Sequence, residues 1–433
     1  MSAHSTSSGV AVPAALSALV DAVERRAGSP RARRVHRAVS RLFTEAMRRT
    51  SDITGQDTIA VITGDIPAMW LRDSAWQLRP LLAATADDDV YSVIASVSRQ
   101  QAFYVLIDPY ANAFNIGPTG DCWHKDFSDQ SPWVFERKYE LDSLTSVLDL
   151  ALRLYRASGR GDHLDAQFFA AASMAMDVIE REQQHDPATY RFRRRTSPAH
   201  DQLSHDGHGA PVAPTGMSWS GFRPSDDGCV YGYLIPSNAH ACVVLNQLAH
   251  LPATTGATDD LKRRALDLSK SIMNGIEEFG LIRRSDGDYF AYEVDGLGNQ
   301  LFMDDANVPS LLSLPYLGWC NEGDSRYLAT RARVLSAANP HFYVGTAGAG
   351  VGSPHTPTQH IWPIAIAVAA LTDQDPAACT NALTLLEATD VGTGDMHESF
   401  HCDNPAKFTR PWFSWADMMY VHLVLRSLNL SFD

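Results

Sequence analysis

The chain has no run of about 18 apolar residues, the length a helix needs to cross a bilayer. It has no basic surplus either: 36 Lys and Arg stand against 50 Asp and Glu, a formal net charge of −14. Nucleic acids and anionic membranes bind basic faces, so neither is an expected partner. Cysteine is sparse and scattered (Cys122, Cys229, Cys242, Cys320, Cys379 and Cys402), with no C-x-x-C pair to mark a zinc ribbon or a redox dithiol. The N-terminal stretch has no secretory apolar core. Scattered thiols without such a core fit a cytoplasmic protein with free, mostly buried cysteines. A G-x-S-x-G elbow, a P-loop and a G-x-G-x-x-G turn are all missing, and with them the usual marks of serine hydrolases and nucleotide-binding enzymes.

What remains is mostly helical. Residues 1–12, rich in Ser and Gly, read as disordered, and 13–433 read as one domain. Apolar residues recur at three- and four-residue spacing over 13–26, 30–49, 71–86, 89–107, 141–157, 165–184, 237–251, 259–279, 306–317, 325–338, 358–371, 376–388 and 411–430. Several of these segments, such as 361–371, are apolar around much of their circumference, which predicts burial. Short β-like pieces fall at 58–63, 190–193 and 289–293, without β-α-β alternation. No Pro/Ser linker divides the chain, and no fixed repeat supports a solenoid. A ring of six helical hairpins, an (α/α)6 toroid, is the remaining all-helical architecture for a domain this long.

The chemically loudest string is His397-Glu398-Ser399-Phe400-His401, the letters H-E-x-x-H. On a helix these supply two zinc ligands and a general base. Two glycines, Gly392 and Gly394, precede the string and Cys402-Asp-Asn-Pro405 follows it. That leaves room for about one turn, fewer than a stable helix needs. Glu398 is then expected on a loop, acting as a carboxylate without metal. The other His-rich patch, His200-Asp201 to His208, lies among Gly and Pro and reads as a surface loop rather than a metal site.

Acids, aromatics and glycines concentrate in the long connections, where a rigid scaffold presents function. Arg72-Asp73 stands between Trp70 and Trp76. Glu136-Arg-Lys-Tyr-Glu140 follows Trp133. Asp226-Asp227 follows Arg223-Pro-Ser, where one aspartate is accounted for by a helix cap more easily than two. Asp304-Asp305-Ala-Asn307 and Ser353-Pro-His355 form another pair of connections, and Glu398 is trailed by Trp412, Phe413 and Trp415. Aromatic faces stack on sugar rings, while carboxylates, amides and Arg bond their hydroxyls. Separated acidic loops ringed in this way point to glycoside hydrolysis, which uses two carboxyl groups flanking the scissile bond.

The strings GDIPAMWLRDSAWQ, ERKYELDSL, WSGFRPSDDG with YGYLIPSN, LFMDDANVPSLLSLPYLG, GVGSPHTP, and GTGDMHESF with FTRPWFSWA resemble glycoside hydrolase family 125 from about residue 35 to the C-terminus. The resemblance implies an (α/α)6 barrel with exo-α-1,6-mannosidase activity, inverting at the anomeric carbon, with no metal and no cofactor. Its partners would be α-mannoside oligosaccharides. It places the general acid in the R-P-S-D-D motif, at Asp226 or alternatively Asp227, and the general base at Glu398. Phe135 departs from the family pattern, which has Trp before E-R-K-Y. Arg72, Asp73, Asn307, His355, His397 and Trp415 are the candidates for binding sugar. The acid is expected to hold its proton unusually tightly, through apolar surroundings. A sugar epimerase or lyase built on a helical toroid, with His355 or His397 as base, is a second class compatible with these residues. A zinc hydrolase is a third.

Overall fold

In the computed structural model, residues 9–126, 130–186, 190–194, 199–285 and 287–432 are described. The helices are α1 (Ala14–Ala27), α2 (Ser29–Arg41), α3 (Leu71–Leu78), α4 (Asp88–Ile107), α5 (Leu141–Ser158), α6 (Ala166–Glu182), α7 (Ile235–Ala249), α8 (Asp259–Phe279), α9 (Leu314–Leu317), α10 (Ser325–Val334), α11 (Pro363–Leu371), α12 (Ala378–Thr389) and α13 (Ser414–Ser427). From α3 onward, odd and even helices play different parts. The odd helices form an inner ring: α3 packs on α5, α5 on α7, α7 on α9, α11 on α13, and α13 back on α3. The even helices form a sleeve, with α2 against α13, α4 against α5, α8 against α7 and α12 against α11. This is an (α/α)6 barrel.

Sequence decides which helix goes where. The inner helices are buried on most sides, polar positions included; α5 has buried residues at every position from Leu141 to Leu154, Asp142 and Asp149 among them. The outer helices carry one apolar stripe and a charged face, as in α8, where the buried set is Ala265, Leu268, Ser269, Ile272, Gly275 and Ile276. Their starts differ as well. Asp87, Asp165, Thr258 and Asp324 cap α4, α6, α8 and α10 with side-chain oxygens. None of the six inner helices has a side-chain cap of this kind. Most of their first amides are taken instead by backbone of the connecting loops: Leu71 N by Asn112 O, Ile235 N by Tyr292 O, and Ser414 N by Thr63 O. The loops are thereby stitched onto the N-terminal end of the ring. Small antiparallel sheets complete the attachment, among them Met69–Trp70 with Ala113–Phe114 and Val134–Glu136, and His360–Ile361 with Ser399–His401 and Asn404–Thr409.

Several expectations need correction. Residues 9–12 are ordered: Val10 is buried and its N–H bonds Phe43 O at 3.0 Å. Residues 1–8 lie outside the described set. The helix expected over 30–49 runs as an α-helix to Arg41 and as a π-helical turn over Leu42–Ala46, and Met47–Arg49 becomes a strand paired with Ile59–Val61. The helix expected over 306–317 is reduced to Leu314–Leu317, because the Asp304 carboxylate accepts the amides of Leu311 and Leu312 and holds the preceding segment as a loop. No regular strand forms at 190–193, where the backbone bonds Gly207 from Phe192.

Inside the ring, Trp76 of α3 lies 5.6 Å from His240 of α7 and stacks on Tyr316 of α9 at 5.7 Å. Tyr316 Oη in turn lies 2.9 Å from His422 Nδ1 of α13. Four inner helices therefore meet on one aromatic ring. Trp76→Ala is expected to lower stability by about 3–5 kcal/mol, the usual cost of removing a large buried aromatic. The shift of the urea midpoint at constant m-value would measure it.

Candidate active site

A cavity of about 380 Å³ opens at the N-terminal end of the inner helices. Its walls come from the loops and first turns just described, including Asp65, Trp70, Arg72, Asp73, Glu136, Lys138, Asp226, Asn307, His355, Glu398, Arg410 and Trp415. Of the nine residues singled out from sequence, seven line it: Arg72, Asp73, Asp226, Asn307, His355, Glu398 and Trp415. Asp227 and His397 do not.

Backbone geometry separates the surroundings of the two side chains of the Asp226-Asp227 pair. Asp226 has φ 68°, the left-handed region that costs energy in any residue with a Cβ. The turn is held by Arg223 N donating to Asp227 O at 2.8 Å and Asp226 N donating to Arg223 O at 2.9 Å. Asp226 Oδ1 faces the cavity and accepts from Asn112 Nδ2 at 3.3 Å and Arg72 Nη2 at 3.4 Å. Lys138 Nζ bonds its carbonyl at 2.7 Å. Asp227 points the other way, is almost fully buried, and lies 3.0 Å from His355 Nδ1.

The expected proton-retaining environment is not found at Asp226. Burial pushes its carboxyl upward, but Arg72 and then Lys138 outweigh this and hold it below the ordinary range. The surroundings are cationic rather than apolar. Asp73, by contrast, is pushed up to about 6 by burial, against the pull of Arg72. Arg72 is committed to carboxylates: Nη1 bonds Glu140 at 2.5 Å and Asp142 at 3.1 Å, and Nε lies 3.4 Å from Asp73.

Glu398 stands on the segment entering a hairpin. Ser399 pairs with Thr409, Phe400 with Phe408, and Glu398 N donates to Thr409 O at 3.2 Å. This register brings Arg410 beside it, with Nη1 donating to Glu398 Oε1 at 3.5 Å. Arg410 also pairs with Asp65 and lies over the Phe413 ring at 4.4 Å. Asp417 fixes the stem, accepting from Met396 N at 2.7 Å and Trp412 Nε1 at 3.0 Å. His397 stacks on Phe408 at 3.8 Å, and its Nδ1 lies 3.0 Å from Pro411 O. His401 sits in the strand, paired in register with His360. The two histidines of the H-E-x-x-H string belong to an extended chain and do not converge.

His200, Asp227 and His355 bring one donor atom each within 4.8 Å. Burial opposes charge on His355, yet the Asp227 bond and charge lift its pKa to about 9. The protonated imidazole forms an ion pair there, and it would have to release that proton to ligate a cation. The rest of the 200–208 patch is dispersed: Asp201 pairs with Lys138 and Arg194, and Asp206 with Arg191 and Arg193.

Several cavity residues carry buried polar atoms with no hydrogen bond among the described residues: Trp70 Nε1, Asn307 Nδ2, Trp415 Nε1, and Asp73 Oδ1, whose nearest cation is Arg72 Nε at 3.4 Å. Such groups are costly unless something bonds them, and donors mixed with an acceptor suit a polyhydroxylated ligand.

Residues 33–425 match the model of the family described as metal-independent alpha-mannosidase (GH125). The chain belongs to glycoside hydrolase family 125. A solved Streptococcus pneumoniae structure from work on metal-independent alpha mannosidases, a non-productive complex with alpha-1,6-mannobiose, is 43% identical. It matches over 96% of this chain and 98% of that one, with a TM-score of 0.92. The meiotically up-regulated gene 157 protein of Schizosaccharomyces pombe is 38% identical over 90% of this chain and 82% of its own length. A bacterial glucoamylase solved with acarbose shares the fold, with a TM-score of 0.57 at 16% identity over 84% of this chain and 49% of that one. The family 125 chain thus has the barrel of sugar-cleaving helical toroids.

Arg410, Asn112, Lys138 and Glu140 were not singled out from sequence. Arg410 was within reach: an Asp403-Asn404 turn between alternating segments signals a hairpin, and folding it back sets Arg410 next to Glu398. The ion pair of His355 makes a pH test. Its pKa is raised on folding, so the stability it gives is complete below about pH 6.5, the ordinary histidine value. That stability fades as pH rises through about 9. The stability difference between the wild type and His355→Gln, followed by thermal melts, should be largest near pH 6 and shrink to nothing above the raised pKa.

Proposed function

We propose that this family 125 enzyme removes terminal α-1,6-linked mannose from the non-reducing end of α-mannosides, inverting the anomeric carbon. The observation that carries the reading is the placement of Asp226 and Glu398 in one cavity, each held by a different set of cations. Asp226 lies against Arg72, Asn112 and Lys138; Glu398 lies against Arg410. The first turns of α3 and α13 wall the cavity with the buried residues Arg72, Asp73 and Trp415, which favours entry of a chain end over a chain middle. The pneumococcal relative crystallised with α-1,6-mannobiose supports the linkage.

In this reading Asp226, protonated, donates to the departing O6 as the C1–O6 bond breaks. Glu398, as the carboxylate, takes a proton from the water that attacks the opposite face of C1. Room for that water requires the carboxyl groups to lie roughly 6.5–9.5 Å apart. Asp73, Asn307 and Trp415 bond and shape the terminal mannose. Arg72 and His355 act at one remove: Arg72 bonds the Asp226 carboxylate, and His355 bonds Asp227.

Glu398→Gln should lower turnover of α-1,6-mannobiose by about 10²–10⁴-fold, the range for losing a positioned base, while calorimetry still detects binding. Proton NMR of the first product should show β-mannose. Wild-type-like turnover in Glu398→Gln, or α-mannose as the first product, would sink the assignment. Activity should also survive exhaustive EDTA treatment; loss restored by zinc would favour a metal mechanism. An epimerase or lyase would convert substrate without releasing free mannose.

A further inference from the structure

Asp226 poses a problem for its own role. A general acid must carry a proton when substrate arrives, yet Arg72 and Lys138 favour its ionised form. The cluster around it shows where the proton resides. Arg72 alone faces Asp73, Glu140, Asp142 and Asp226. The charge of Lys138 is divided between Glu136 and Asp201. Three buried carboxylates and the partly exposed Asp226 face one guanidinium; the buried three cannot all ionise, because each surplus charge there lacks both water and a partner.

We propose that Glu140 is the proton reservoir of the general acid: it shares one proton with Asp226 and delivers it when the leaving sugar docks. The inference rests on the assignment of Asp226 as the acid. Its geometry is specific. Asn112 Nδ2 lies between the two carboxyls, 3.1 Å from Glu140 Oε1 and 3.3 Å from Asp226 Oδ1, and its two hydrogens are shared with a third acceptor, Glu136 Oε2, at 3.1 Å. Arg72 bridges them, with Nη1 on Glu140 and Nη2 on Asp226. Ser143 Oγ completes the shell of Glu140 at 2.8 Å. The Glu140 side chain is 0% exposed, whereas that of Asp226 is 23% exposed, so only Asp226 reaches the cavity.

The titratable groups facing Glu140 are Arg72 from α3, Asp142 from its own helix, Asp226 from the loop before α7, and Cys229 and Tyr190. Burial dominates and holds its proton on well above the ordinary range; Arg72 opposes this, and Asp226 and Asp142 add to it. Docking of a sugar on Asp226 excludes water and makes its charge costlier. The proton then leaves Glu140 for Asp226, and from Asp226 it bonds O6 as the C1–O6 electron pair goes to that oxygen. Glu140 is left ionised against Arg72 and regains a proton from solvent after the products leave. Glu140 never touches the sugar and is a positioning residue.

The test compares α-1,6-mannobiose with 2,4-dinitrophenyl α-mannoside, whose leaving group departs without protonation. Asp226→Asn is run first. If it loses both substrates equally, or neither, the acid assignment itself fails. Given a selective loss on mannobiose in Asp226→Asn, Glu140→Gln should show the same selectivity: kcat on mannobiose falls about 100-fold, while the aryl mannoside stays within about threefold. The wild-type alkaline limb seen on mannobiose, but absent on the aryl substrate, should vanish. Glu140→Asp, which keeps an ionisable proton, should retain most mannobiose turnover with that limb displaced. Equal loss on both substrates in Glu140→Gln, or an unmoved limb in Glu140→Asp, overturns the inference. The Glu140→Asp readout decides alone if Glu140→Gln does not fold.

Discussion

The guanidinium of Arg72 is the constraint around which the site is built. It is 3% exposed and contacts carboxylates from its own helix α3, from the start of α5 and from the loop before α7. Two of those elements are neighbours in the inner ring, so the same charge that conditions Asp226 also ties the barrel staves together. Removing one partner of a buried ion pair typically costs about 3–5 kcal/mol, because the other charge is stranded. Here several charges would be stranded together. The surplus of acids around Arg72 is thus tolerable only while some of them stay protonated, and acid catalysis needs a proton held in just this place.

The barrel supplies what the charges need. Outer helices close their own N-termini with Asp and Thr side chains, whereas inner helices leave that work to loop backbone. The loops carrying Asn112, Tyr292 and Thr63 are thereby fastened where α3, α7 and α13 begin. Asp226 can remain in a left-handed conformation because its turn is bonded on both sides. Glu398 is held by a two-stranded register, and Arg410 reaches it from the returning strand.

Most of the helical order could be read from apolar periodicity, most plainly in outer staves with one apolar stripe such as α8. The failures have local causes. The helix expected near Ala306 was displaced by a side chain, since the Asp304 carboxylate captured amides that a helix would have used. The strand at Met47–Arg49 arose from pairing with Ile59–Val61, a non-local gain that propensity does not register. In the site, residues carrying an obvious chemical label were found readily. Asn112 and Glu140 were not, because a lone amide and one acid in a charged run acquire meaning only when folding sets both against Asp226.

The string that first suggested zinc illustrates the same point. Two histidines four residues apart lie on one side of a helix but are separated when the chain is extended. In the hairpin, His397 is buried on Phe408 and His401 faces His360, so the ligand geometry is lost while Glu398 keeps its place in the cavity. In the proposed mechanism the nucleophile is made by proton transfer to a carboxylate at the moment of attack. That places the burden on the two carboxyl groups being in opposite protonation states at the same pH.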